Sequence, residues 1–323
     1  MRVLTLVILL FILLFIELLY FYIANKYSII DQPNHRSSHN KVTIRGGGII
    51  FSIAVFLIFF NSGFQYIYFI LGVLLISLIS FVDDIKTINN RVRIICHLIA
   101  TALLFYQLSI YRFPIYLILM AFIFVIGTIN AVNFMDGING ITGSYSLLTI
   151  LTLCYINEYV SHFTDSLYLI AVLLSLVVFN FFNFRIKAKC FAGDVGSVSI
   201  AFILLFFVLQ LIIKSSNLNY ILLFMLYGLD TSTTILFRLI KKENVFEAHR
   251  QHFYQFLANE KKIPHLIVAV IYSLTQAIIN VVLIKYSFTT ILALIVSICI
   301  GLILFTLLRV YFEGPKNLVN LKQ

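Results

Sequence analysis

The chain has 323 residues, 61% of them hydrophobic and only 11% charged, with a mean hydropathy of +1.03. Soluble domains carry about 25% charged residues, so a water-soluble globular fold is excluded and the chain is expected to lie in lipid. The net charge of +10 is not laid out for nucleic acid, because outside the apolar runs there is no basic helix and no interleaved aromatic platform for bases.

Apolar runs read against polar breaks place eleven candidate helices, over 3–24, 48–61, 65–82, 93–110, 114–131, 143–159, 166–184, 198–213, 219–237, 264–284 and 287–311. A hydrocarbon core of about 30 Å needs about 20 helical residues, which the first and last runs supply. The first run is too long for the apolar stretch of a signal peptide and is followed by no small-residue cleavage site, so it counts as a span. The second is short and begins at Gly46, Gly47 and Gly48. It is either tilted or opens in irregular backbone enclosed by protein, where membranes tolerate such backbone. Cys96, Cys154, Cys190 and Cys299 have no metal or disulfide spacing and are assigned to packing. No repeat or linker divides the chain, so the expected fold is one all-α, polytopic membrane domain over 1–323.

Orientation follows from the basic residues, which stay on the cytoplasmic side of short loops. With eleven spans and the N-terminus outside, nineteen of the 23 Lys and Arg residues face inward, leaving Arg2, Arg112, Lys214 and Lys285 outside. The expected topology is therefore N-out and C-in, with the positive face toward anionic lipid headgroups and anionic substrates.

Acidic residues are scarce, thirteen in all, and most of those outside the spans fall on the same face. Asp83 and Asp84 close the third run, Asp136 lies in the glycine-rich stretch 130–140 (NAVNFMDGING), and Asp194 lies in 191–197 (FAGDVGS). His249 and His252 occupy the longest inward loop. Adjacent carboxylates repel at low dielectric and need a neutralising partner. Mg²⁺ is the natural candidate, since it takes a few carboxylates plus substrate phosphates, and the glycines allow close backbone approach to a ligand. Each feature also has a plainer reading: a capped helix corner for Asp83 and Asp84, simple turns for 130–140 and for Asp194, a surface helix face for the histidines. Asp230 is either a polar helix contact or part of the site, and Glu17 is read as a packing group. Their gathering on one face favours a diphosphate site.

These residues carry a resemblance. Residues 31–39 (DQPNHRSSH) with Arg45 to Gly48, 81–85 (FVDDI), 130–140, 191–197 and 248–255 (AHRQHFYQ) occur in the order found in the polyprenyl-phosphate N-acetylhexosamine-1-phosphate transferases. That group includes the phospho-MurNAc-pentapeptide translocase and the undecaprenyl-phosphate GlcNAc-1-phosphate transferase; the chain most resembles its O-antigen and capsule branch. The resemblance implies a Mg²⁺-dependent enzyme, with Mn²⁺ as a substitute, in a bacterial inner membrane with its active site toward the cytoplasm. It would move an N-acetylamino-sugar-1-phosphate from a UDP-sugar to undecaprenyl phosphate, releasing UMP and beginning a surface polysaccharide.

Carried over residue by residue, Asp194 would ligate the metal, and Asp83 and Asp84 would assist it or deprotonate the lipid phosphate. Asp136 and Asn133 would hold the nucleotide or diphosphate, Phe191 would stack on uracil, and His249 and His252 would contact the diphosphate. Arg36, His39, Arg45 and Arg250 would bind phosphate or headgroup, and Asn139 and Asn183 would complete the substrate site. Two departures stand out: many relatives have Asp where this chain has Asn139, and the approach to Phe191 lacks the usual proline. The residues leave open direct attack, with Asp83 as base, or a phospho-enzyme, and they leave open a homodimer. A transporter or flippase is the competing class; it should show paired repeats and a midplane cluster of ionisable groups, and Glu17 stands nearly alone at that depth.

Overall fold

The computed structural model describes residues 3–31, 42–245, 247, 249–286 and 288–319. Among these the chain forms α1 (Val3–Lys26), α2 (Ile49–Asn61), α3 (Ile67–Ile85), α4 (Asn90–Gln107), α5 (Ile115–Met135), α6 (Ile141–Tyr159) and α7 (Ser166–Asn183). There follow α8 (Gly193–Ser215), a 3₁₀ segment (Leu218–Phe224) running into α9 (Met225–Ile240), a short α10 (Phe253–Asn259), α11 (His265–Tyr286), α12 (Ile291–Glu313) and α13 (Pro315–Val319). A two-residue hairpin, β1 (Ile30–Asp31) antiparallel to β2 (Thr43–Ile44), lies between α1 and α2.

All eleven expected helices are present, most within a few residues of their sequence bounds. The main shift is α8, which starts at Gly193 instead of 198 and so carries Asp194 in its first turn. The short α10 and the hairpin have too few residues to leave a periodic signal. By length and composition eight helices can cross a membrane. The remaining three fall short for different reasons: α2 is apolar but has 13 residues, α4 carries Arg91, Arg93 and His97, and α6 is rich in Thr, Ser and Asn.

The core is built around α8. Every residue from Val195 to Leu209 is buried, the signature of a helix apolar all round that must sit inside a bundle. Helices α2, α3, α5 and α6 pack against it, α4 covers α3, α7 covers α2 and α6, and α11 backs α6. A run of small hydroxyls threads the interior: Ser52 meets Ser77 at 2.6 Å and Ser77 meets Ser199 at 3.0 Å, joining α2, α3 and α8.

The 3₁₀ segment interrupts backbone pairing inside the bundle, where no water replaces it. Gln276 of α11 supplies the missing partners: its Nε2 donates to the Leu222 carbonyl, and its Oε1 accepts from the Leu226 amide and from the Tyr145 hydroxyl. At one end of the bundle Gly140 lies against Phe184 and Leu266, bringing the starts of α6 and α11 to the end of α7. At the other end the Ser62 hydroxyl bonds Tyr168, and the Tyr68 amide donates to Gln107.

Two backbones touch where the glycine run precedes α2. A Cβ on Gly48 would collide with the Gly196 Cα of α8, which is backbone and cannot swing aside. Gly48→Ala is therefore expected to lower the thermal midpoint in detergent by the equivalent of about 1–3 kcal/mol, the usual cost of overpacking. Gly127→Ala, in open space on α5, serves as the matched control and is expected to leave the midpoint unchanged or raised.

Candidate active site

Consecutive carboxylates at the end of a helix project about 100° apart, so Asp83 and Asp84 find different partners. Asp83 accepts from the Ile88 amide at 2.6 Å and pairs with Arg93 Nη1 at 3.0 Å. The Asp84 side chain is fully enclosed; it accepts from the Asp194 and Val195 amides at 2.8 and 2.9 Å and from Arg45 Nε at 2.7 Å. It thus caps α8 from another helix, satisfying amides that the helix itself leaves unpaired and placing negative charge at its positive end.

Gly193, at φ +71°, makes this approach possible, because a side chain there would strike Asp84 and the Gly46 backbone. The glycine run is fastened on the same spot. The amides of Gly47 and Gly48 donate to the carbonyls of Phe191 and Ala192, the Phe191 amide donates to Ile44, and Tyr20 donates to the Arg45 carbonyl. Beneath the run lies Glu17, fully buried, with Cys190 Sγ 3.8 Å from its carboxylate, in keeping with a packing role.

Asp194 has the most open carboxylate of the three, with 21% of its side chain exposed; Arg45 stands 3.7 Å and Arg93 3.8 Å from its oxygens. The repulsion that called for a cation is therefore met in large part by two arginines. Among the described residues no three His, Cys, Asp or Glu side chains gather as a metal cage. Mg²⁺ suits a sparser arrangement of one or two carboxylates completed by water and phosphate, and Asp194 fits that description. Asp84 does not in this arrangement, since both of its oxygens are bonded and a metal would have to displace Arg45.

The end of α5 and the loop after it bridge to the histidines. Asn133 accepts from Ser197 in the first turns of α8, and Asp136 is half-buried, its carboxyl pushed up to about 6 chiefly by burial, with the nearby Asp84 charge adding to the effect. Gly137 abuts Tyr254, which donates to the Phe134 carbonyl. Phe134 in turn lies against both His249 and His252, whose rings stack with centroids 5.0 Å apart. Arg250 is half-buried in the same loop, and Phe191 is half-buried beside the glycine run.

Asn139 and Asn183 face the scaffold. Asn139 donates to the Arg185 and Ile186 carbonyls; Asn183 accepts from the Gly140 amide and donates to the Cys190 carbonyl. They tie the loop after α5 to the loop before α8. Arg36 and His39 lie outside the described residues.

Three residues with structural claims on this site, Arg93, Tyr272 and Arg309, carried no role in the sequence reading, and a fourth, Asp230, stood open between a helix contact and part of the site. Arg93 serves Asp83 and Asp194. Asp230, Tyr272 and Arg309 hold the histidine loop: Asp230 accepts from Tyr272, from His252 and from the Phe253 and Tyr254 amides, while Arg309 donates to the Gln251 carbonyl. An ionisable residue inside an apolar run is itself a signal, and Arg309 near the end of the last run gave one.

Apolar helices bring two arginines, four carboxylates and a histidine loop to one end of the bundle, a candidate site with the charge to receive an anion. Residues 66–212 match the family model described as Glycosyl transferase family 4, which supports a transferase joining a sugar phosphate to a polyprenyl phosphate. The match contains Asp83, Asp84, Arg93, Asn133, Asp136 and Asp194 but stops short of the histidine loop, and Arg45 precedes it. Comparison with curated proteins returned no match.

Burial lowers the His249 imidazole to about 4, aided by the neighbouring His252 and Arg238. Between about 4 and the unfolded value near 6.5 the unfolded chain binds the extra proton, so stability falls as pH drops through that window and is fully restored above it. Thermal midpoints measured from pH 4 to 7 are expected to drop less steeply for His249→Gln than for the unsubstituted protein; parallel curves would contradict the assignment.

Proposed function

We propose that the protein transfers an N-acetylamino-sugar-1-phosphate from a UDP-sugar to undecaprenyl phosphate, releasing UMP and leaving a sugar diphospholipid. The observation that carries this reading is the arginine–carboxylate cluster at the N-terminus of α8, set at one end of an apolar bundle and lying largely within the family-4 match. Two anionic substrates must meet there, and Arg45 and Arg93 supply the fixed positive charge that brings them together and stabilises the charge spread in phosphoryl transfer. An oxygen of the lipid phosphate attacks the sugar-linked phosphorus, the bond to UMP breaks, and one anhydride replaces another.

Mg²⁺, held by Asp194 and completed by water and phosphate, would neutralise diphosphate oxygens when bound. Asp83 is engaged by Arg93 and by the Ile88 amide, which makes it a poor base. Asp136, at about 6, is close to the second ionisation of a phosphate monoester, also about 6, so a proton can pass between them at little cost. An apolar groove of about 380 Å³ between α5, α9 and α12, lined by Ile123, Gly127, Gly228 and Leu302 and reaching Thr231 and Ser232, suits the polyprenyl tail. The positive loops favour the cytoplasmic side of a bacterial inner membrane for this end, with the eight long apolar helices crossing and α2, α4 and α6 crossing among them to make eleven spans.

The test is UMP release by detergent-purified protein given undecaprenyl phosphate and, separately, UDP-GlcNAc, UDP-GalNAc and their 6-deoxy analogues, with Mg²⁺ or EDTA. Release is expected to need lipid and metal and to fall at least about a hundredfold in Asp194→Asn, within the range for losing one electrostatic contact in a transition state. Folded protein that releases no UMP with any donor would turn the reading toward a transporter.

A further inference from the structure

Asp230 is fully buried midway along α9, and its carboxylate is surrounded by donors. Oδ1 faces His252 Nδ1 at 3.3 Å, the Phe253 amide at 2.9 Å and Thr234 Oγ1 at 3.2 Å; Oδ2 accepts from the Tyr272 hydroxyl at 2.6 Å and the Tyr254 amide at 3.2 Å. Behind it, Arg309 Nη1 donates to Thr233 and Thr234. A carboxylate receiving this many donors from fixed backbone and side chains has only lone pairs to offer the imidazole. The proton on Nδ1 is therefore obligatory.

That leaves Nε2 as the atom of His252 whose protonation is free to change. It is buried and has no hydrogen-bond partner among the described residues. The ring is flanked by His249, Phe134 and Tyr254. Phe134 and Asn133 lie in the last turn of α5, just before Asp136, so the His252 ring packs beside the segment that leads to the carboxylate cluster.

We propose that Asp230 is a positioning residue that locks His252 with its proton on Nδ1, and that His252 Nε2 is the atom that meets a phosphate oxygen of the donor, taking up a proton from solvent and donating it to that oxygen. The reading rests on the transferase proposed above. Asp230 does not touch the substrate; it acts through the imidazole, and α12 contributes through Arg309, which holds both the threonines beside Asp230 and the Gln251 carbonyl of the histidine loop. The groups facing the ring are His249, Tyr254 and Asp230, with Tyr272, Arg250 and Arg309 beyond them.

Two measurements test it. In ¹⁵N-histidine-labelled full-length protein in detergent, the signal lost in His252→Gln is expected to show a protonated Nδ1 and a bare Nε2 above pH 7.5, with Nε2 shifting when inorganic pyrophosphate and Mg²⁺ are added. The opposite tautomer, or an Nε2 indifferent to pyrophosphate, overturns the proposal whether or not the substituted proteins fold. In UMP release, Asp230→Asn, whose amide can turn the tautomer round, is expected to lower kcat about a hundredfold or more with the donor KM changed less than about threefold. Because the two residues act as a unit, Asp230→Asn/His252→Gln should be no slower than His252→Gln alone; additive losses overturn the idea. Unsubstituted protein without UMP release but with the expected tautomer and pyrophosphate shift would reject the transferase reading alone, whereas an active protein indifferent to Asp230→Asn would reject this inference alone.

Discussion

The arrangement at the site's end of the bundle depends on one buried carboxylate. Asp84 closes three contacts at once: it caps the most deeply enclosed helix, receives the guanidinium of Arg45, and fixes the distance between the end of α3 and the start of α8. A charge taken from water into a low-dielectric interior is tolerable only when paired and fully hydrogen-bonded. Asp84 meets both conditions, and in doing so it holds Arg45 and the first turn of α8 where Asp194 stays partly open. The glycines at 46–48 and 193 have no catalytic chemistry of their own; they allow the backbones to come near enough for the carboxylate to serve all its partners.

A second buried carboxylate organises the other half of the site in the same manner. Asp230 gathers α9, α10 and α11 around the histidine loop, as Asp84 gathers α3, α8 and the glycine run. The two halves meet through the last turn of α5, which reaches Ser197 with Asn133 and His252 with Phe134. The site is thus framed by residues far apart in sequence, from Arg45 to Arg309, and each loop is held at its ends by the apolar bundle.

Much of this was legible in the sequence because lipid imposes a strict rule: long apolar runs become helices, and the polar breaks between them collect at two faces. The alternation placed Asp83, Asp84, Asp136, Asp194 and the histidines at one end, and the structure brings those groups to neighbouring loops. What could not be read was direction. Nothing in FVDDI says that Asp83 turns to Arg93 and Asp84 to Arg45, so the need for a neutralising charge pointed to a metal when two arginines were at hand. The resemblance implies substrate contacts for Asn139 and Asn183, yet in the structure their side chains bond the carbonyls of Arg185, Ile186 and Cys190 and the Gly140 amide. The early start of α8 was hidden because Gly193 and Gly196 weaken the helical pattern that the apolar stretch begins only later.

The central claim is that Asp84 and Arg45 act as one unit that shapes the site, and a double-substitution cycle tests it most directly. Thermal midpoints in detergent would be compared for Asp84→Asn, Arg45→Gln and the pair. The account predicts that Arg45→Gln is strongly destabilising, by about 3–5 kcal/mol for a buried carboxylate left without its partner, that Asp84→Asn costs less because Arg45 is 34% exposed and keeps Asp194, and that the pair costs clearly less than the sum. Additive losses would mean that the two residues are neighbours without being partners, and the framework proposed for the site would fail.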